Sequence, residues 1–163
     1  MKANKLNKSL PFKDVDPHSL PEAVQSASAI LARRDHCRQE LSLKLQQRGF
    51  HPETITQTLQ YCEQQNWLNE AEYARIYVRV RSERGYGPLR VRQELLQKCV
   101  PSDDIEQAFN EFEGDWFELA RDQRIKRFGD FWPDDFKLKL KQQNYLYRRG
   151  FDQEQIRYAC TNQ

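Results

Sequence analysis

At 163 residues and 19.5 kDa the chain has the length of one ordinary domain, yet an apolar fraction of 38% and a mean hydropathy of −0.95 are low for a single compact core. A thin or elongated molecule is expected. A net charge of +2 is too mild to mark a nucleic-acid partner by itself, and no early apolar stretch can serve as a signal core or bilayer span, so a cytoplasmic protein is expected.

In chain order, residues 1–20 carry Lys2, Lys5, Lys8 and Lys13 and read as a flexible, dispensable N-terminal tail. A long helix is predicted from Pro21 to Arg34. Next comes a short pattern, Leu45-Gln-Gln-Arg48-Gly49-Phe50 with Ile55 and Leu59, that joins the end of one helix to the start of another. Gly49 suits a left-handed position after a helix, and Pro52 suits a first helical turn. A second long helix is predicted over Asn69 to Glu83, with Tyr73, Ile76, Tyr77 and Val80 on one face and Arg75 and Arg79 on the other.

The joint then recurs as Leu95-Leu-Gln-Lys98-Cys99-Val100 with Ile105 and Phe109, where Cys99 in place of glycine implies lost stability or a different turn. Ser102 is the expected cap of the helix after it, with Asp103 and Asp104 in its first turn. A third long helix is predicted over Asp115 to Phe128. The run Phe136 to Lys141 alternates like a strand, but its place in the repeat and the residues after it favour helix. The last joint is Leu146-Tyr-Arg-Arg149-Gly150-Phe151 with Ile156 and Cys160, where Asp152 and Gln155 resemble a capping box. The expectation is an all-α fold of three tandem three-helix modules, 21–66, 67–113 and 114–163, forming an elongated, curved helical repeat.

Charge is blocked along the chain. From Arg75 to Lys98 seven basic residues face Glu83 and Glu94, from Ser102 to Glu118 seven acidic residues face no basic one, and from Arg121 to Arg149 nine basic residues face four acidic ones. Alternating blocks make local fields that can orient an anionic partner. Cys37, Cys62, Cys99 and Cys160 form no CxxC pair and read as reduced, half-buried residues. No His, Cys or Asp set has metal-ligand spacing, no nucleophile has an evident base, and Gly85-x-Gly87 lacks the rest of a phosphate loop, so neither enzyme activity nor a metal or other cofactor is expected.

The segment Gly85-Tyr86-Gly87-Pro88-Leu89-Arg90-Val91-Arg92-Gln93-Glu94-Leu95 resembles the central signature of the RecX family. Arg34-Asp35-His36-Cys37-Arg38-Gln39-Glu40-Leu41 is similar to the first-module motif of that family, Trp67-Leu68-Asn69-Glu70 with Tyr73-Ala74 to the link into the second module, and Leu146 to Phe151 to the third. The likeness spans roughly residues 22 to 160. It implies a curved stack of three-helix modules that lodges in the groove of a RecA filament on single-stranded DNA and inhibits the recombinase, with no membrane role. A monomer suits the composition. Cys37 departs from the serine usual in the first motif, which leaves Asp35 to cap the second helix.

For partner or DNA contact the candidates are Arg75, Arg79, Arg81, Arg84, Tyr86, Arg90 and Arg92 in the second module, with Lys126, Arg127, Lys137, Lys139, Lys141, Arg148 and Arg149 in the third. The first group also reads as a solvated face paired with Glu83, Glu94 and the acidic block. Gly85, Gly87 and Pro88 form the structural turn, which reads either as a tight joint or as a helix start whose free amides, with an exposed Tyr86 beside them, receive an anion. Tyr145 and Tyr147 flank the third-module lysines as core residues or as stacking platforms. A stand-alone DNA-binding module and a helical adaptor for another acidic protein are the competing functions.

Overall fold

The protein is described by a computed structural model over residues 15–161, so residues 1–14 of the expected tail, with Lys2, Lys5, Lys8 and Lys13, lie outside the described residues. Residues 15–19 are not loose: Val15 packs on the first core, the His51 amide donates to the Pro17 carbonyl, and the Ser19 side chain caps the first helix. Nine helices and no strand occur among the described residues. They are α1 (Leu20–Leu31), α2 (Arg38–Gln47), α3 (Pro52–Gln64), α4 (Glu70–Glu83), α5 (Pro88–Gln97), α6 (Ser102–Asn110), α7 (Trp116–Phe128), α8 (Phe136–Arg149) and α9 (Gln153–Ala159). The all-α repeat read from the sequence is therefore the fold, and the alternating run from Phe136 opens α8. No described helix is long and apolar enough to cross a membrane.

In each trio the first helix packs on the third: α1 on α3, α4 on α6, α7 on α9. Two compact units result. Of the described residues, one holds 15–36 and 40–68, and the other holds 37–39 and 69–161. The repeated joint has the same geometry three times. The amides of Phe50, Val100 and Phe151 reach back to the carbonyls of Leu45, Leu95 and Leu146, which closes each helix with a Schellman turn. Those leucines are fully buried, and the residues after the turn and Ile55, Ile105 and Ile156 are buried too, because the turn aims the next helix back across the same apolar face.

Cys99 holds the turn in the left-handed region at φ +58°, where Gly49 and Gly150 stand at φ +93°. The turn is thus conserved in shape and strained in its second copy, because a Cβ crowds the backbone there. Cys99 is exposed, so Cys99→Gly loses no packing; it is expected to raise stability by about 0.5–1 kcal/mol, read as a higher urea midpoint with an unchanged slope. The other three cysteines are buried rather than half-buried, and burial pushes the Cys160 thiol up to about 11.

Several helix starts differ from the sequence reading. Asn69 and Asp115 are caps just outside α4 and α7, their side-chain oxygens accepting first-turn amides, and Asp135 does the same for α8. Ser102 is the first residue of α6, whose cap is Pro101. The start of α2 does not rely on Asp35. Cys37 is buried in the second core, and the Arg38 amide donates to a Glu70 carboxylate oxygen. Pro52 opens α3 and the Asp152/Gln155 capping box opens α9, both as read from the sequence. In α4 the buried stripe is Tyr73, Ala74, Val78 and Ser82, with Ile76 and Val80 half-exposed.

The third module departs from the repeat inside its core. Arg124 occupies the slot that holds Ala27 in α1 and Val78 in α4, and is only 3% exposed. Its guanidinium donates to the Gln142 side chain at 3.3 Å and to the Asp130 carbonyl at 3.1 Å. It thereby ties the α7–α8 connection to the core of the third module.

Candidate functional site

The arginines of the second module fall into two groups. Glu94, on α5, is a hub: it accepts from Tyr77 Oη at 2.9 Å, from Arg81 Nε at 2.7 Å and from Arg90 Nε at 3.0 Å, with a further bond from Arg81 Nη2. Burial raises the Tyr77 phenol to about 12, helped by its bond to Glu94. Arg75 pairs with Glu72 and Glu111, and Arg92 pairs with Glu106 while lying over the Phe109 ring. Arg81 thus ties α4 to α5, Arg92 ties α5 to α6 and Arg75 ties α4 to the end of α6, whereas Arg90 pairs within α5. Arg79 and Arg84 are exposed and have no carboxylate partner among the described residues.

Tyr86 is half-buried, not exposed as expected. Its ring packs on the second core and is covered by three guanidinium groups, Arg81 at 3.7 Å, Arg90 at 4.5 Å and Arg149 at 5.0 Å from the ring centre. Nor are the amides at the start of α5 open to an anion. Gly87 N–H donates to the Arg149 carbonyl at 2.8 Å and Leu89 N–H to the Gly150 carbonyl at 3.0 Å. Arg149 Nη1 returns to the Arg84 carbonyl and Arg90 Nη1 to the Arg148 carbonyl.

This clasp explains the glycines. Gly87 has an ordinary φ of −82°, but a Cβ there would lie 2.4 Å from the Gly150 carbonyl carbon and oxygen. Gly85, at φ +80°, is the residue that needs glycine's backbone freedom. Pro88 opens α5 without giving up a needed donor, because the clasp uses the amides on either side of it.

The third-module candidates lie mainly on α8. Lys137, Lys141 and Arg148 are exposed; Lys139, two residues from each lysine and so on another side of the helix, is half-buried. Arg127, Lys137, Lys141 and Arg148 line a groove of about 450 Å³ with Phe128, Leu140, Asn144 and Tyr145. Lys126 is exposed beside Arg127 but does not line it. Tyr145 is half-buried, set edge-on to Phe128 and under Arg149, whereas Tyr147 is 69% exposed. Phe131 and Phe136 are also largely exposed, an apolar feature the sequence reading did not single out.

Comparison with known proteins covers all three modules. The profile of the RecX first three-helix domain matches residues 23–62, that of the second 69–108 and that of the third 113–160. The chain belongs to the RecX family. The regulatory protein RecX of Halorhodospira halophila (strain DSM 244 / SL1) is 41% identical over 141 residues, 86% of this chain and 88% of the relative. That of Stenotrophomonas maltophilia (strain R551-3) is 40% identical over 83% of each. A crystal structure of regulatory protein RecX superposes with a TM-score of 0.74 at 23% identity, covering 85% of this chain and 70% of the other. One of RecX from Lactobacillus salivarius gives 0.72 at 19%, covering 86% and 93%, so the RecX fold extends to distant relatives. In RecX terms the Gly85–Leu95 signature is, in this chain, the clasp between the second and third modules.

Proposed function

We propose that the protein binds the RecA filament on single-stranded DNA and inhibits its ATPase, strand exchange and extension. The observation that carries this reading is the match to all three RecX modules, together with relatives of nearly equal length named as regulatory proteins. Its working surface is drawn from the exposed cations that internal carboxylates do not engage, chiefly Arg79 and Arg84 in the second module, and Arg127, Lys137, Lys141 and Arg148 in the third. Arginine and lysine beside half-exposed aromatic rings suit an acidic protein surface or a phosphate backbone held within a filament. The protein acts by binding, not by catalysis, in an internal compartment that it shares with the recombinase.

The test is DNA-stimulated ATP hydrolysis by the cognate RecA with the protein added substoichiometrically. The wild type is expected to inhibit, and the triple reversal Lys137→Glu, Lys141→Glu, Arg148→Glu to need at least tenfold more protein for the same effect. An unchanged ATPase and filament length with the wild type overturns the proposal. Tight binding to bare DNA with a steep salt slope and no preference for the filament would instead establish a stand-alone DNA-binding module.

A further inference from the structure

None of the candidates above lies in the first module, yet a basic cavity of about 340 Å³ opens there, lined by Ile30, Arg33, Arg34, His36, Lys44 and Arg48, with Gln47 at its edge. α1 supplies Ile30, the connection after it Arg33, Arg34 and His36, and α2 Lys44 with Arg48 just beyond its end. Arg34 is paired with Glu40 at 3.0 Å, and Arg48 Nη1 donates to the Ser26 carbonyl at 3.4 Å. Arg33 and Lys44 have no carboxylate partner among the described residues. Four permanent cations thus converge with one carboxylate between them, an arrangement whose self-repulsion an anion relieves.

His36 supplies a second, independent pointer. It is 5% exposed, and its Nδ1 lies 2.8 Å from the Arg34 carbonyl oxygen. A carbonyl only accepts, so Nδ1 carries the proton, and Nε2 of this buried ring is left without a protein partner among the described residues. That atom is open to solvent, so water satisfies it in the free protein and a ligand entering the cavity can take the place of that water.

We propose that this cavity is a phosphate-binding site, in which Arg33 and Lys44 bind the anion, Arg34 and Arg48 add fixed positive field, and His36 Nε2 hydrogen-bonds a protonated phosphate oxygen or, once protonated, a bare one. Ile30 forms an apolar floor against which a sugar or base packs. A nucleotide or a nucleic-acid strand can supply the phosphate. The site shares no residue with the surface assigned to the recombinase, and it is tested without recombinase, so its failure leaves that reading untouched.

The test uses the full-length protein titrated with inorganic phosphate and ATP by calorimetry, and with fluorescein-labelled oligo(dT) by anisotropy. Arg33→Glu/Lys44→Glu and the milder Arg33→Gln/Lys44→Gln are run beside the wild type, with circular dichroism to confirm folding. Saturable wild-type binding that falls at least tenfold in the charge reversal and by less in the neutral pair is expected. Loss with ATP and phosphate assigns a nucleotide, whereas loss with oligo(dT) alone assigns a strand. No saturable binding to any of the three probes, or affinities equal in wild type and both variants, overturns the proposal.

Discussion

Gly87→Val is expected to destabilise the protein by about 3 kcal/mol, through overpacking of a tight contact and loss of a buried hydrogen bond. At this chain length that lowers the melting temperature by roughly 6–12 °C. The cause is steric and not conformational: φ at Gly87 is −82°, which any residue adopts, but the added carbons meet the Gly150 carbonyl and the Phe151 amide nitrogen, which are backbone and cannot step aside. Gly85→Ala is the contrasting case. Its Cβ meets only the Gln123 side chain, which can turn away, so the loss is the left-handed strain of about 1–2 kcal/mol. Differential scanning calorimetry of both variants checks the order. A Gly87→Val protein melting with the wild type would mean that the third-module turn is not seated on the second.

Glu94→Leu is expected to cost about 3 kcal/mol or more, because it strands a largely buried cation. Arg81 is 16% exposed at its side chain and has Glu94 as its carboxylate, and Tyr77 loses its acceptor with it. Pairing Glu94→Leu with Arg81→Met should recover most of the loss in a double-mutant cycle, since the apolar pair leaves no unpaired charge. Acid gives a second reading of the same hub. Burial alone would raise the Glu94 carboxyl, but the hydrogen bonds from Arg81, Arg90 and Tyr77 outweigh it and hold the pKa below its ordinary 4.5. A carboxylate depressed in the folded state contributes stability that is present above its unfolded value and lost as pH falls through the folded one. Urea midpoints should therefore drop more steeply below pH 4.5 in the wild type than in Glu94→Gln; parallel curves would show that the hub does not hold in solution.

The repeat was legible because its signals are local. A basic residue, a glycine and an apolar residue at fixed offsets specify a Schellman turn, and apolar residues at helical spacing specify the face that the turn buries. Even the strand-like Phe136–Lys141 run resolved correctly once its repeat position was weighed. Charge was left open. The arginine block read either as a contact surface or as a face paired with Glu83, Glu94 and the acidic block, and four of its members take the second course: Arg81 and Arg90 share Glu94, and Arg75 and Arg92 reach carboxylates of the acidic block. Periodicity places a side chain on a helix face without saying which neighbour meets it. Arg124 shows the same limit: nothing in the helical spacing of α7 marks it as a buried charge.

By itself the sequence determined the helices, the three modules and the RecX family, since each rests on contacts within a few residues or on a repeated motif. Only the tertiary structure decided what the Gly85–Leu95 signature does. Its amides meet carbonyls some sixty residues away, as Gly87 meets Arg149, and a contact between distant turns leaves no periodic trace in either segment. The structure likewise separated engaged arginines from available ones and gathered Arg33, His36 and Lys44 around one cavity, because pairing and enclosure depend on how helices pack and not on the spacing within any one of them.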